Sequence, residues 1–185
     1  MTPMPKNQDG WFAAEAAPTT AVPGVGAPSG ANRQRFHGRD LRRGRHSCAN
    51  QVYLVTTVTH ERESLFAHSM AAREVVHALR HASEHGLATT HAYVVMPDHL
   101  HWLLGLGGGH ELSSVVARVK GKSARRINLL LEREGRPVWQ AGFHDHAIRT
   151  EEDIRHIARY IVANPLRGGL MHRVGDYPWW DAEWL

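Results

Sequence analysis

The sequence predicts an α+β fold, in which an antiparallel sheet in a split βαβ arrangement carries helices on one face. Two observations lead to this prediction. Short apolar runs of strand composition alternate with amphipathic segments in the order β-α-β-β-α-β-α, and two of the runs are separated only by a Pro-Asp corner. The chain has 185 residues, 42% of them hydrophobic, which is enough for one well-cored domain.

The first half of this order begins with a strand. Residues 51–59 ("QVYLVTTVT") are rich in β-branched and aromatic side chains, as strands are. Residues 68–86 repeat apolar side chains at helical spacing and end at a glycine, which predicts an amphipathic helix. The apolar runs 90–96 and 99–106 flank Pro97 and Asp98, which predicts a hairpin.

The second half predicts two helices around a further strand. Residues 111–134 form a helix with a basic middle, and Gly121 is its weak point. Residues 138–149 alternate well enough for a strand. Thr150 stands three residues before Asp153, which resembles a capping box, and the helix that follows stops at Pro165.

The N-terminal part differs in composition from the rest. Residues 1–31 are rich in Ala, Pro, Gly and Thr without a hydrophobic period, so we expect a disordered tail before a domain over 32–185. Arginines then crowd between residues 33 and 45, with Asp40 as the only acidic residue among them. This local charge favours a nucleic-acid partner, although a solvated flexible arm would look the same.

Several classes of protein are excluded or disfavoured by composition. The single cysteine, Cys48, excludes an internal disulfide and a cysteine-based zinc site. No stretch approaches 18 consecutive apolar residues, and the N-terminus lacks the order of a signal peptide. We therefore expect a cytoplasmic protein without a membrane partner.

Two histidines on the second hairpin strand are candidate metal ligands. Side chains two apart on a strand point to the same face, so His99 and His101 project together. Such a pair can also be ordinary half-exposed histidines, because the chain has 15 His and repeats the spacing at His144 and His146. Two ligands do not complete a site, so a further ligand must come from elsewhere.

The last helix offers polar side chains at one-turn spacing. Tyr160 and Asn164 lie four residues apart, and His156 continues the row one turn earlier. Tyr160 alone could be a tyrosine at the edge of the core, and Asn164 alone could cap the helix before Pro165. Their joint occurrence favours a functional site if this helix packs over the histidine pair.

The motifs "AYVVMPDHLHWLL", "KGKSARRIN", "VWQAGFHDHAIR", "ARYIVANPLRGGL" and "GDYPWW" resemble, in this order, those of REP-associated tyrosine transposases, which are related to the single-strand-specific HUH transposases. The resemblance runs from about Arg39 to the C-terminus. It implies a ferredoxin-like HUH endonuclease fold with a divalent cation, Mg²⁺ or Mn²⁺. By position, His99 and His101 would be the metal-binding pair, Asn164 the third ligand and Tyr160 the nucleophile.

The resemblance also implies a function: metal-dependent cleavage and transfer of single-stranded DNA at palindromic, REP-like hairpins, through a 5′-phosphotyrosine intermediate. His156 is a possible proton acceptor for the phenol, whose ordinary pKa is about 10. The residues expected to contact DNA are basic: Arg39, Arg42, Arg43, Arg45, Lys120, Lys122, Arg125 and Arg126.

Two other functions stay open at this point. A domesticated protein could hold hairpins with little or no catalysis, and a metal hydrolase could use water as the nucleophile, with Tyr160 incidental. The oligomeric state, monomer or homodimer, is open as well. For the transposase we expect a bacterial cytoplasmic setting with association to the nucleoid.

Overall fold

The computed structural model describes residues 51–149 and 153–184. Its elements are β1 (Val52–Val58), α1 (Ser69–Glu84), β2 (Ala88–Met96), β3 (His99–Leu106), α2 (Leu112–Leu130), β4 (His144–Ala147), α3 (Ile154–Val162), α4 (Asn164–Arg167) and β5 (Trp180–Ala182). The predicted order is confirmed, and α4 and β5 are additional. The predicted tail and the arginines between 33 and 45 lie outside the described residues.

The strands form one antiparallel sheet in the order β4-β1-β3-β2-β5. The first four strands of the sequence thus adopt the predicted split βαβ order, and β5 extends the sheet beyond β2. The predicted hairpin is confirmed, with Met96 and His99 as the Cα partners beside its turn. The fold class is therefore the one predicted from the sequence.

Some element boundaries differ from the predictions. Within residues 138–149 only four residues pair as a strand, and Trp139 instead makes an isolated bridge with Thr59. Helix α2 continues unbroken through Gly121. Helix α3 is capped by Asp153, whose carboxylate accepts hydrogen bonds from the N–H groups of the next turn, while Thr150 lies outside the described residues. Within the described ranges, no helix is long and apolar enough to cross a membrane.

Helices cover both faces of the sheet, which corrects the prediction that they pack on one face. Helices α1 and α2 pack on the face that bears Leu100, Trp102 and Leu104. Helix α3 packs on the opposite face, against Val94 and Leu103. The reason is that β2 and β3 carry apolar side chains at successive positions rather than at alternate ones, so both faces must be shielded from water.

Candidate active site

The histidine pair lies on the sheet face covered by α3. His99 and His101 alternate along β3 with Leu100 and Trp102, and so share a face with Leu103, which packs against α3. The two imidazole rings meet edge to face, with centroids 4.8 Å apart. His99 is buried and His101 is half-buried. The structure thus brings the two rings together as the sequence predicted.

Each imidazole is oriented through its Nδ1 atom. Nδ1 of His99 shares a hydrogen bond of 2.6 Å with the Asp98 carboxylate. Nδ1 of His101 shares one of 2.8 Å with the Thr56 hydroxyl of the neighbouring strand. Histidines that bind metals in proteins are usually held in this manner, with the other ring nitrogen directed at the ion. Here that nitrogen is Nε2 of both rings.

Asp98 is itself fixed from two sides. The hydrogen bond from His99 holds the pKa of the Asp98 carboxyl below its usual value, and Arg62 adds to the effect through a contact of 3.0 Å. The backbone carbonyl of Asp98 accepts bonds from the N–H and the hydroxyl of Thr59. Sequence reasoning missed Asp98 and Thr56 as partners of the pair. Only the adjacency of Asp98 to His99 could have suggested one of them.

The chain just after α4 passes close to Met96, the last residue of β2. A Cβ atom at Gly168, just after α4, would lie 3.4 Å from the Met96 side chain, so the backbone passes close over that residue. Met96 is the direct Cα partner of His99 and belongs to the core under α3. The α3–α4 segment, which carries Tyr160 and Asn164, therefore runs over the same end of the same face as the histidine pair.

Tyr160 and Asn164 are linked by an arginine that sequence reasoning did not single out. The Arg167 guanidinium carbon lies 3.6 Å from the centroid of the half-buried Tyr160 ring. One Arg167 nitrogen donates to Oδ1 of Asn164, and the other to the Tyr160 carbonyl at 3.4 Å. Asn164 is 2% exposed, and its Nδ2 donates to the carbonyl of Ile161 at 3.0 Å. The only sequence signal for these contacts of Arg167 was its position three residues after Asn164.

The donor set around the pair fits a divalent cation. Two oriented imidazoles are suitable ligands, and Asn164 would add a carboxamide oxygen from α4. Among residues 51–149 and 153–184, no group of three or more His, Cys, Asp or Glu side chains could hold a metal ion. Any further protein ligand from those residues would thus be of another type, and the role of Asn164 stays a prediction.

The basic residues of α2 lie away from the histidine pair. The helix packs on the other face of the sheet. Lys120 donates to the carbonyls of Gln140 and Gly142, at 2.7 and 2.5 Å, and Arg126 contacts Glu74 at 3.4 Å. Lys122 and Arg125 are exposed. Their DNA contacts stay predictions, as do those of Arg39, Arg42, Arg43 and Arg45, which lie outside the described residues.

Three other histidines belong to elements on the same side of the sheet as the pair. His144 is opposite Thr56, and His146 is opposite Leu54, which places both on the α3 face at the outer strand β4. His156 is exposed on α3, one turn before Tyr160, and its N–H donates to Asp153. Its role as proton acceptor stays a prediction.

Known proteins resemble this chain in sequence and in fold. The family model described as "Transposase IS200 like" matches residues 47–164, well over half of the chain. A REP-associated tyrosine transposase of Escherichia coli K12 is 34% identical over 88 residues, 47% of this chain and 50% of that protein. A Haemophilus influenzae protein described as a REP-associated tyrosine transposase is 26% identical over 137 residues, 69% of this chain and 77% of that protein.

A solved structure shares the fold. It is a REP-associated tyrosine transposase bound to a REP hairpin, 26% identical, with a TM-score of 0.60 over 74% of this chain and 79% of that chain. The match with the E. coli protein spans only half of that protein's length. The family match, the fold and the paired histidines point to one conclusion: the chain belongs to the IS200-like transposase family and is similar to the REP-associated tyrosine transposases within it.

Proposed function

We propose that this chain is a metal-dependent endonuclease and strand transferase that acts on single-stranded DNA at palindromic, REP-like hairpins. Tyr160 is the nucleophile, and the product is a 5′-phosphotyrosine link to DNA. The observation that carries the proposal is the placement of α3 and α4 over the sheet face that bears His99 and His101, with the end of that segment next to Met96, the partner of His99.

The reaction exchanges one phosphodiester for another. The Tyr160 oxygen attacks phosphorus, the bond from phosphorus to the 3′-oxygen breaks, and the DNA is left with a free 3′-hydroxyl. The phenol gives up its proton and the departing 3′-oxygen gains one, so atoms and charge balance. Because both esters are similar in energy, the step is reversible, and a second 3′-hydroxyl can reseal or exchange the strand. His156, exposed one turn away, is the proposed acceptor of the phenol proton.

His99, His101 and Asn164 would hold the cation, Mg²⁺ or Mn²⁺. When bound, the ion polarises the scissile phosphate and neutralises charge on its oxygens. The chain's own contribution is to fix the ligands. Asp98 and Thr56 hold the two imidazoles through Nδ1, so that Nε2 of each ring would be the ligand atom.

The substrate is inferred from the relatives. The structural relative is bound to a REP hairpin, and the excess of arginine over lysine in this chain suits phosphate recognition. His144 and His146 extend the polar surface of the same face towards the sheet edge, where a single strand could run. A protein with this substrate would act at the nucleoid.

The proposal is tested with a labelled hairpin oligonucleotide that carries single-stranded flanks. The full-length protein is incubated with it and Mg²⁺ or Mn²⁺, and the products are separated on a denaturing gel. We expect a covalent protein–DNA band with the wild type and none with Tyr160→Phe. Tyr93→Phe is the matched control, because Tyr93 packs on the opposite face of the sheet and should keep the band.

Each other outcome assigns a different function. Cleavage without a covalent band would show that water is the nucleophile and that Tyr160 is incidental. Retention of the hairpin without any cleavage would identify a domesticated DNA-binding protein. A band that persists in Tyr160→Phe would refute the choice of nucleophile.

A further inference from the structure

Arg167 connects the proposed nucleophile to the proposed third metal ligand. Its guanidinium stacks on the Tyr160 ring, with 3.6 Å from the guanidinium carbon to the ring centroid. The same group donates hydrogen bonds to Oδ1 of Asn164 and to the backbone carbonyl of Tyr160. One side chain therefore fixes the position of the phenol relative to the carboxamide.

The contact with Asn164 has an electrostatic consequence. Oδ1 is the only carboxamide atom that could bind a cation, and in this structure it accepts a hydrogen bond from a positive group. A divalent ion on the same oxygen would stand within a few ångströms of the guanidinium and would be repelled by it. The nitrogen of the carboxamide is already bonded to the Ile161 carbonyl, so the buried side chain is not free to offer another arrangement.

We propose that Arg167 is a positioning residue with two opposed effects: it holds the Tyr160 ring in place for attack, and it competes with the cation for Oδ1 of Asn164. This inference rests on the proposed function of Tyr160 and Asn164. In the absence of metal, Arg167 keeps the nucleophile and the ligand in one fixed arrangement. Binding of the ion requires the guanidinium to withdraw from Oδ1 while it stays beside the ring.

The opposed effects give a signature that a purely structural residue would not show. Arg167→Ala should bind Mn²⁺ about five-fold more tightly, because a nearby positive charge is removed. The same variant should form the covalent DNA adduct at least about ten-fold more slowly at saturating metal, with little change in KM for the hairpin, because the ring is no longer held. Arg167→Lys keeps the charge but not the planar stack, so its Mn²⁺ affinity should stay near wild type while its adduct rate stays low.

Mn²⁺ affinity is measured on the full-length protein without DNA, by electron paramagnetic resonance of the free ion, and the adduct rate on the denaturing gel. Arg155→Ala is the matched control, since it removes an exposed arginine from the start of α3 and should change neither quantity. Circular dichroism checks the fold of each variant, and Arg167→Gln replaces the alanine variant if that one is disturbed.

The two proposals fail in different ways. If the wild type binds Mn²⁺ and forms the adduct, but loss of Arg167 lowers both quantities together or changes neither, only the role of Arg167 is refuted. If the wild type neither takes up Mn²⁺ nor forms an adduct, the proposed function falls, and this inference falls with it.

Discussion

The hydrogen bond between Thr56 and His101 allows a sharp test of how the histidine pair is oriented. Thr56→Val keeps the shape of the side chain but removes the hydroxyl that lies 2.8 Å from Nδ1 of His101. A hydrogen bond of this type contributes about 1 kcal/mol net, or roughly five-fold in affinity. Loss of ring orientation adds to this, and removal of such partners typically weakens metal binding by about 10–100-fold.

We place the effect of Thr56→Val near the lower end of that range, about ten-fold. The reason is that His101 loses a neutral partner, whereas His99 keeps its shorter bond of 2.6 Å to the Asp98 carboxylate. Bonds to charged groups are roughly twice as strong as bonds between neutral ones. The measurement is Mn²⁺ affinity of the full-length protein, followed by the rate of adduct formation at two metal concentrations.

The next residue of the same strand is a matched control. Thr57 faces the other side of the sheet and is 2% exposed, and its hydroxyl has no hydrogen-bond partner within the part of the chain that the structure describes. Thr57→Val removes a buried unsatisfied hydroxyl, so stability should stay equal or rise by roughly 1 kcal/mol. Its Mn²⁺ affinity should equal that of the wild type. Equal losses of affinity in both variants, or none in Thr56→Val, would refute the argument.

Two further predictions concern α2 and the C-terminal core. Lys120→Met should lower the melting temperature, because the hydrogen bonds from Lys120 to two loop carbonyls are lost. Lys122→Met should instead reduce, by about one, the slope of the logarithm of the hairpin-binding constant against the logarithm of the salt concentration. The reverse assignment of these two effects would contradict the prediction. Burial raises the pKa of Tyr177 to about 12, above its unfolded value near 10, so the neutral phenol stabilises the fold below pH 10 and this stability is lost as the pH rises towards 12. Tyr177→Phe should remove this part of the alkaline destabilisation in urea unfolding at pH 9 and 11.5, and an unchanged pH dependence would show that another group is responsible.

Elements with strong local signals were predicted well from the sequence. The hairpin around Pro97 and Asp98 was recognised because two β-rich runs adjoin a turn dipeptide. Boundaries of the two long helices came within four residues at each end, since glycines and apolar periodicity mark them. The strand before α3 was predicted too long because alternation in residues 138–149 does not reveal that only His144–Ala147 pair with β1 in regular strand register.

The contacts that orient the site could not be predicted in the same way. Thr56 meets His101 because β1 and β3 pair in one register, and residues 45 positions apart carry no joint signal in a single sequence. Arg167 is close to Tyr160 along the chain, yet its stacking depends on the turn between α3 and α4, which sequence reasoning treated as the end of the helix. Side-chain partners of this kind require tertiary structure.

The position of α3 decides whether these contacts amount to a site, and its physical cause is the composition of the hairpin. Had β2 and β3 alternated apolar and polar residues, one face of the sheet would have been left to water, and α3 would have had no apolar surface there to cover. Leu103 and Val94 are each 0% exposed on the face that also bears His101, so that face needs a cover. Helix α3 provides it with Ile157 and Ile161, and the same packing brings the helix that bears Tyr160 onto this face of the sheet. The hydrophobic requirement of the sheet and the placement of the proposed nucleophile thus have one structural origin.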